Sequence, residues 1–301
     1  MVRIAIVGDV HLATSHRCRQ DDFLETALEK LQFIRNENDK VIILGDLFHV
    51  YSNPPAMFNR VYKFFTQENN KGAFATLIGN HDVFHGSLSS LNKTTIGSLQ
   101  LTGALTLLTK SFTIDGYDFD VSPVVKDMSK LGDPTNTKIL LAHNYIEMPH
   151  CEEESFTRDE IIKMNYNAIY AGHEHCPYES ELIGKTMLYR PGSLSRIDTQ
   201  AYNKTRKIYY CQLDTETGEC IKREVPSKPI KECYVDGAFD KSPIKQKSVY
   251  GGLSALLSKF DNNVDKRENM SLPTVLRTMK ASEAHITYLR EIHRNNNIGF
   301  D

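Results

Sequence analysis

The sequence predicts an α/β fold from three observations: short apolar runs rich in Val and Ile, apolar stripes at helical spacing between them, and hairpins gathered past residue 110. Five runs read as buried strands, at residues 2–7, 41–44, 74–78, 139–142 and 168–171, and each ends in Gly or a polar cluster. Between the first two, Phe23, Leu24, Ala27, Leu28, Leu31 and Ile34 recur every three or four residues and predict a helix. Met57, Val61, Phe64 and Phe65 do the same after Pro54-Pro55. Thr157 with Glu160 is a capping box that opens a third helix. Hairpins are expected at 112–114 and 117–121 around Asp115-Gly116, at 181–183 and 187–189 around Gly184-Lys185, and at 207–213 and 219–225 around Thr217-Gly218. There is no internal repeat and no low-complexity tract.

Composition sets bounds on the class. A chain of 301 residues at formal charge −2, with 40% hydrophobic and 25% charged residues, is ordinary for a soluble globular protein with one large core and an appendage. The six cysteines, at 18, 151, 176, 211, 220 and 233, show neither a disulfide framework nor the spacing of a zinc site. With no signal peptide and no apolar run of membrane length, a cytoplasmic protein without membrane contact is expected. Gly184-Lys185-Thr186 ends like a phosphate-binding loop, but position 179, where that loop needs Gly, is Glu. Any nucleotide dependence must therefore come from a partner.

Chemistry concentrates where the strands end. Asp9-Val10-His11, Gly45-Asp46, Gly79-Asn80-His81-Asp82, His143 and Gly172-His173-Glu174-His175 each follow an apolar run, and residues at the carboxyl ends of neighbouring strands converge on one site. Two divalent ions that clamp the oxygens of a phosphate ester need a shared carboxylate plus oxygen and imidazole ligands. Asp46 is the natural bridge. The Asp-x-His spacing of Asp9 and His11 suits a turn that wraps one ion from two sides, and His173 and His175 share the spacing. The set divides into Asp9, His11, Asp46 and His175 at one ion and Asp46, Asn80, His143 and His173 at the other. Carboxylate, amide and imidazole without thiolate favour Mn²⁺, Fe²⁺ or Zn²⁺ over Ca²⁺, with Mn²⁺ taken first. Two such ions outweigh the charges of Asp9 and Asp46, so the site attracts phosphate although the whole chain is at −2. His16, His85, His150, His285 and His293 fit no ligand position and read as surface or satisfied residues, with His85 nearest the substrate entrance.

This order of motifs resembles the calcineurin-like metallophosphoesterase superfamily over roughly the first two thirds of the chain. Within it, Gly45-Asp46-Leu47-Phe48-His49 looks like the motif of the SbcD-type double-strand-break repair nucleases, which include recombination nuclease subunits of large phages. Arg19-Gln20-Asp21-Asp22-Phe23 sits where that family has its polar lead into the first helix. Tyr189-Arg190-Pro191-Gly192-Ser193 is similar to its Tyr-Pro-Gly-Ser loop with one residue inserted. The resemblance implies a four-layer αββα sandwich with a small C-terminal helical extension. It also implies that His81 protonates the leaving oxygen, that Asp82 orients the His81 ring, and that His49 contacts the scissile phosphate and turns it for exonucleolytic attack. The implied activity is a two-metal DNA exonuclease and endonuclease of repair, recombination and replication. Its implied partners are DNA and an SbcC-like coiled-coil ATPase, and a homodimer is compatible. The rival is a phosphodiesterase or phosphatase for small substrates, from which His49 is the sharpest distinguishing residue. A catalytically silent scaffold is disfavoured because the ligand set is complete.

The expected organisation is a nuclease domain at 1–225, a linker or reduced capping region at 226–247, and a helical partner-binding region at 248–301. Pro226, Pro229 and Pro243 punctuate the middle stretch, and residues 222–247 hold seven Lys and Arg against four Asp and Glu. After Ser271-Leu272-Pro273, the residues Val275, Leu276, Met279, Ile286, Leu289 and Ile292 predict an amphipathic helix. With a shorter segment at 252–257 it forms a helical hairpin, which either packs on the core or docks on the coiled coil of the ATPase.

Overall fold

The alternation of β1 (Arg3–Val7) shows how the layers arise. Ile4 and Ile6 face one side, Ala5 and Val7 face the other, and both sides are dry. A strand buried on both faces belongs at the centre of a covered parallel sheet. The structure, a computed structural model, describes residues 1–16, 18–84, 87–123, 138–147 and 155–239.

β1 pairs in parallel with β2 (Lys40–Ile43), which is followed outward by β3 (Phe74–Thr76) and β4 (Thr106–Leu107). On its other side β13 (Ile208–Asp214) and β14 (Cys220–Val225) are antiparallel. In the second sheet β7 (Lys138–Ala142) and β10 (Ala168–Ala171) are central and parallel, flanked by β6 (Tyr117–Ser122) and β12 (Thr186–Tyr189). Its edges are β5 (Phe112–Ile114) and β11 (Glu181–Ile183), each closing an antiparallel hairpin. Asp115 and Gly116, both at positive φ, make the tight turn between β5 and β6.

Between the sheets, Ile4, Ile6, Ile42, Leu44 and Leu77 meet Phe119, Ile139, Leu141 and Tyr170. Behind the first sheet, Ala5, Val7, Val41 and Ile43 pack on α1 (Phe23–Glu37) and α2 (Pro55–Thr66), joined by α3 (Thr95–Leu101). Behind the second, Leu140, Ala142, Ile169 and Ala171 pack on α4 (Arg158–Met164). The result is the αββα order. Thr157 and Glu160 form the expected capping box of α4.

Several short elements escape the sequence pattern. α3 is seven residues long and holds a Gly, so its helical signal is weak, and it depends on Thr94 accepting from Gly97 N as N-cap. The pair β8 (Tyr145–Ile146) and β9 (Ser155–Phe156) is only two residues long. Residues 248–301, with the expected helical hairpin, lie outside the described residues, as does 240–247. Among the described residues no helix is long and apolar enough to cross a membrane.

Residues 226–239 lie against the first layer. α5 (Ile230–Cys233) leads to Tyr234, whose hydroxyl donates to the carbonyls of Arg196 and Asp198. Arg19 stands between the rings of Phe23 and Tyr234, donates twice to Asp21 at 2.7 Å and reaches the Arg196 carbonyl at 3.0 Å. One guanidinium thus joins the start of α1, the 193–198 loop and the 226–239 segment.

Beside it Lys30 is buried and donates to the Leu194 carbonyl at 3.0 Å. Burial, then Arg19, Arg196 and Arg206, lower its pKa from 10.5 to about 7. Between about pH 7 and 10.5 the unfolded chain binds this proton and the folded chain does not, so stability rises with pH across that window. The penalty is complete below it. We expect Lys30→Met to raise Tm relative to wild type by several degrees more at pH 7 than at pH 10, read by calorimetry at both values. An equal difference at the two pH values overturns the assignment.

Candidate metal centre

The loops that leave β1 and β2 pair with each other. Val10 N and His11 N both donate to the Asp46 carbonyl, at 3.1 and 2.9 Å, Leu12 N donates to Leu47 O, and His49 N donates to Leu12 O. This small ladder sets Asp9, His11, Asp46 and His49 side by side above the strand ends. His11 has φ 53°, the turn that the Asp-x-His spacing requires, and Asp46 has φ 48°. Such left-handed conformations in non-glycine residues persist where surroundings over-determine them.

The second sheet supplies the remaining imidazoles. His143 ends β7 and its Nδ1 meets the Leu44 carbonyl at 2.7 Å, so that nitrogen carries the proton. Its Nε2 faces Asn80 Oδ1 at 3.1 Å and Asp46 Oδ2 at 3.6 Å. His173, at φ 71°, donates its backbone N–H to both oxygens of Asp9 at 3.0 and 3.1 Å. His11 Nε2 and His175 Nε2 are 3.0 Å apart.

All of the expected ligands meet in one cleft. Donor atoms of Asp9, His11 and His175 lie within 4.8 Å of one another, as do those of Asp46, His143 and His173, and those of His11, His49 and His81. The first two groups bring together residues expected at one ion and at the other. Asn80 joins the second group through His143.

Their electrostatics fit cations. Burial pushes the carboxyls of Asp9, Asp46 and Asp82 up to about 7, with Asp46 adding to the effect on Asp9 and Asp82. Burial and neighbouring imidazoles hold His11 and His173 far below the usual histidine range, and burial brings His175 and His49 to about 4. Acids that resist ionisation and bases that resist protonation share one dry space, and positive ions between them satisfy both. His143 Nε2 and Asn80 Oδ1 lie 3.1 Å apart, close enough to share one cation. His11 Nδ1 has no hydrogen-bond partner among the described residues. The donor set therefore fits two divalent ions.

One expectation needs revision in detail. Asp82 does not orient the His81 ring. Its carboxylate accepts from Leu47 N, Phe48 N and Gly79 N at 3.3, 3.0 and 3.0 Å, because the turns after β2 and β3 leave those buried N–H groups without a backbone partner. The His49 carbonyl takes the orienting role, accepting from His81 Nδ1 at 2.7 Å. His16, read as a surface or satisfied residue, has its ring 4.6 Å from that of His49. His85, His150, His285, His293 and Cys151 lie outside the described residues.

The profile of the calcineurin-like phosphoesterase family matches residues 2–177, more than half of the chain. The chain belongs to that family. The family is one of metal-dependent hydrolases that hold two divalent ions. Among solved structures this phosphoesterase is similar to a protein of Thermus thermophilus at 14% identity, over 75% of this chain and 99% of that one, with a TM-score of 0.45. An archaeal protein described as a novel phosphodiesterase has 17% identity over 74% and 99%, with a TM-score of 0.41. A hypothetical protein of Pyrococcus horikoshii has 14% identity over 80% and 91%, with a TM-score of 0.40. No curated protein sequence matches significantly.

In this phosphoesterase Arg190 stands outside the cleft. Its guanidinium lies 4.1 Å from the Tyr178 ring centre and 3.7 Å from Glu174, the residue between His173 and His175. The loop it opens closes the site from behind, where Ser193 N donates to His175 O and Leu194 N to Asp9 O. Arg206 fixes that loop through Ser193 O, Ser193 Oγ and Ser195 O at 2.8–2.9 Å. Neither Tyr145, whose ring lies 3.9 Å from that of His173, nor Arg206 carried a motif signal. The pairing of Tyr145 with a strand-end histidine two residues before it was the one available hint.

A Cβ on Gly79 would sit 2.1 Å from Asp46 Oδ1 and 2.3 Å from Asp46 N. Gly79→Ala should therefore displace the Asp46 carboxylate and lower the stoichiometry of bound divalent ions, measured by titration calorimetry; an unchanged stoichiometry in the variant would contradict a ligand role for Asp46. Asp82→Ala leaves three buried N–H groups unpaired at a cost of about 1–3 kcal/mol each. A loss of Tm under about 2 °C would rule out that structural role.

Proposed function

We propose that this phosphoesterase is a metal-dependent DNA nuclease that hydrolyses phosphodiester bonds as the nuclease subunit of an SbcC-SbcD-like complex. The observation that carries the reading is the third imidazole group. His49 and His81 stack beside His11 with ring centres 5.5 Å apart, next to the donors that fit two ions. A phosphate seated at those donors lies within reach of both rings. When bound, the two ions supply Lewis acidity to the phosphate and to the attacking water.

The residues divide the remaining work. His81 keeps its Nδ1–H on the His49 carbonyl, which leaves Nε2 to deliver a proton to the departing sugar oxygen. His49 gives the substrate phosphate a hydrogen-bonding edge on the same side and fixes which oxygen faces His81. Glu174 and Arg190 hold the His173–His175 turn from outside, so the imidazoles cannot swing away as the phosphate arrives. Residues 248–301 would carry the contact with the coiled-coil ATPase. Mn²⁺ is the proposed native ion, the cytoplasm of a cell or phage host the proposed location, and repair or recombination of broken DNA the proposed process.

The test is a Mn²⁺-dependent assay on end-labelled duplex and circular single-stranded DNA, with and without an SbcC-like ATPase. Hydrolysis of either DNA is expected. Cleavage confined to small diesters would assign a small-substrate phosphodiesterase instead. His81→Ala should slow DNA hydrolysis by roughly 10²–10⁴-fold yet cost far less on a p-nitrophenyl ester, whose leaving group needs little protonation. Equal losses on both substrates would remove the acid role.

A further inference from the structure

The two loops that bring His49 and His81 to the cleft run outward into aromatic residues. Val50 and Tyr51 follow His49, and Val83 and Phe84 follow Asp82. The Tyr51 and Phe84 rings meet edge to face, with centres 5.3 Å apart at 74°. They stay 38% and 46% exposed, beside Val50 at 47% and Leu88 at 48%. The backbone beneath is fixed: Thr95 N donates to Tyr51 O at 2.8 Å, Thr95 Oγ1 accepts from Asn53 N at 2.9 Å, and Ser90 Oγ accepts from Phe84 N at 2.9 Å. Residues 50–53 and 83–84 include no Asp, Glu, Lys or Arg. Exposed, preordered aromatic surface at the rim of a polar site marks a place where something apolar and flat is received.

We propose that Tyr51 and Phe84 form a stacking platform for an unpaired nucleobase of the strand being cut. The inference rests on the DNA-hydrolase reading above. A phosphate between the ion donors and the His49–His81 pair directs its flanking nucleotide along the same two loops, and these end in the aromatic rings. Every base offers a π-face, so the platform is indifferent to sequence. In duplex interiors both faces of a base are already stacked, and only an end, a frayed pair or a single strand can use the platform. The ring pair therefore sets a preference for unpaired over paired substrate at the position beside the cut.

The test compares single-stranded oligonucleotides, intact or with one abasic position stepped across the cleavage sites, using the full chain with Mn²⁺. Wild type should cut about tenfold more slowly where the abasic position flanks the scissile bond, the fold-change of about 1.4 kcal/mol of lost stacking. The Tyr51→Ala/Phe84→Ala double variant should cut intact DNA at that reduced rate and ignore the abasic position. Phe84→Tyr keeps a ring and should keep the preference, and Mn²⁺ stoichiometry by calorimetry should stay at two in all three proteins. Cleavage of oligonucleotides with an unchanged intact-to-abasic ratio in the double variant overturns the platform alone and leaves the pair as a protein-docking surface. A wild type that hydrolyses small diesters but no oligonucleotide removes the nuclease reading, and the platform with it.

Discussion

Asp46 is held at three points, and the rest of the centre is built around that restraint. Its carbonyl accepts Val10 and His11, which places the loop after β1; its carboxylate accepts the His81 N–H, which places the loop after β3; and its left-handed backbone turns that carboxylate into the cleft. Gly79 leaves the carboxylate its space, and Asp82 ties the turn that follows. Two histidine nitrogens, from His11 and His143, lie 3.6 Å from this carboxylate, and burial holds the His11 ring far below the usual histidine range.

Such a centre works against its own fold. His11, Asp46 and His173 occupy left-handed backbone conformations, each costing on the order of 1–3 kcal/mol. Three carboxyl groups and several imidazoles share a dry space in which ionisation is disfavoured. The layers on either side meet that cost: β1, β2, β7 and β10 are buried almost throughout, and their apolar side chains alternate between the helices and the opposite sheet. Rigid strands then end in loops that cannot relax.

Much of this was legible in the chain because strand-end chemistry is local. Asp9, His11, Asp46, Asn80, His81, His143, His173 and His175 each stand within four residues of an apolar run, and the structure gathers them in one cleft. The apolar runs marked the buried strands, while the αββα order came from the family resemblance. Less legible were features that answer a need elsewhere in the chain. Asp82 sits next to His81 in sequence, yet its carboxylate serves N–H groups more than thirty residues away. Arg206 organises a loop that precedes it by more than ten residues, and His16 follows no strand at all. α3 carries little intrinsic preference and forms because Thr94 caps it and Ile96 and Leu99 reach the core. In each case the missing information was a contact, which spacing along one segment cannot express.

The bonds between Asp9 and His173 and between His143 and Leu44 each run from one sheet to the other. The centre is therefore a seam, closed only when both halves of the sandwich have docked. A ligand that fills it favours the docked state by mass action, and the chain with its ions is the form in which the sheets are latched. Without them, the amides of β1 and β10 near the seam lose protection to solvent exchange before those in the helix-backed interior. Synthesis as far as β4 yields Asp9, His11, Asp46 and the Gly79–Asp82 turn but no His143 or His173 to complete them, so a half-made protein holds an incomplete cleft until the second sheet arrives.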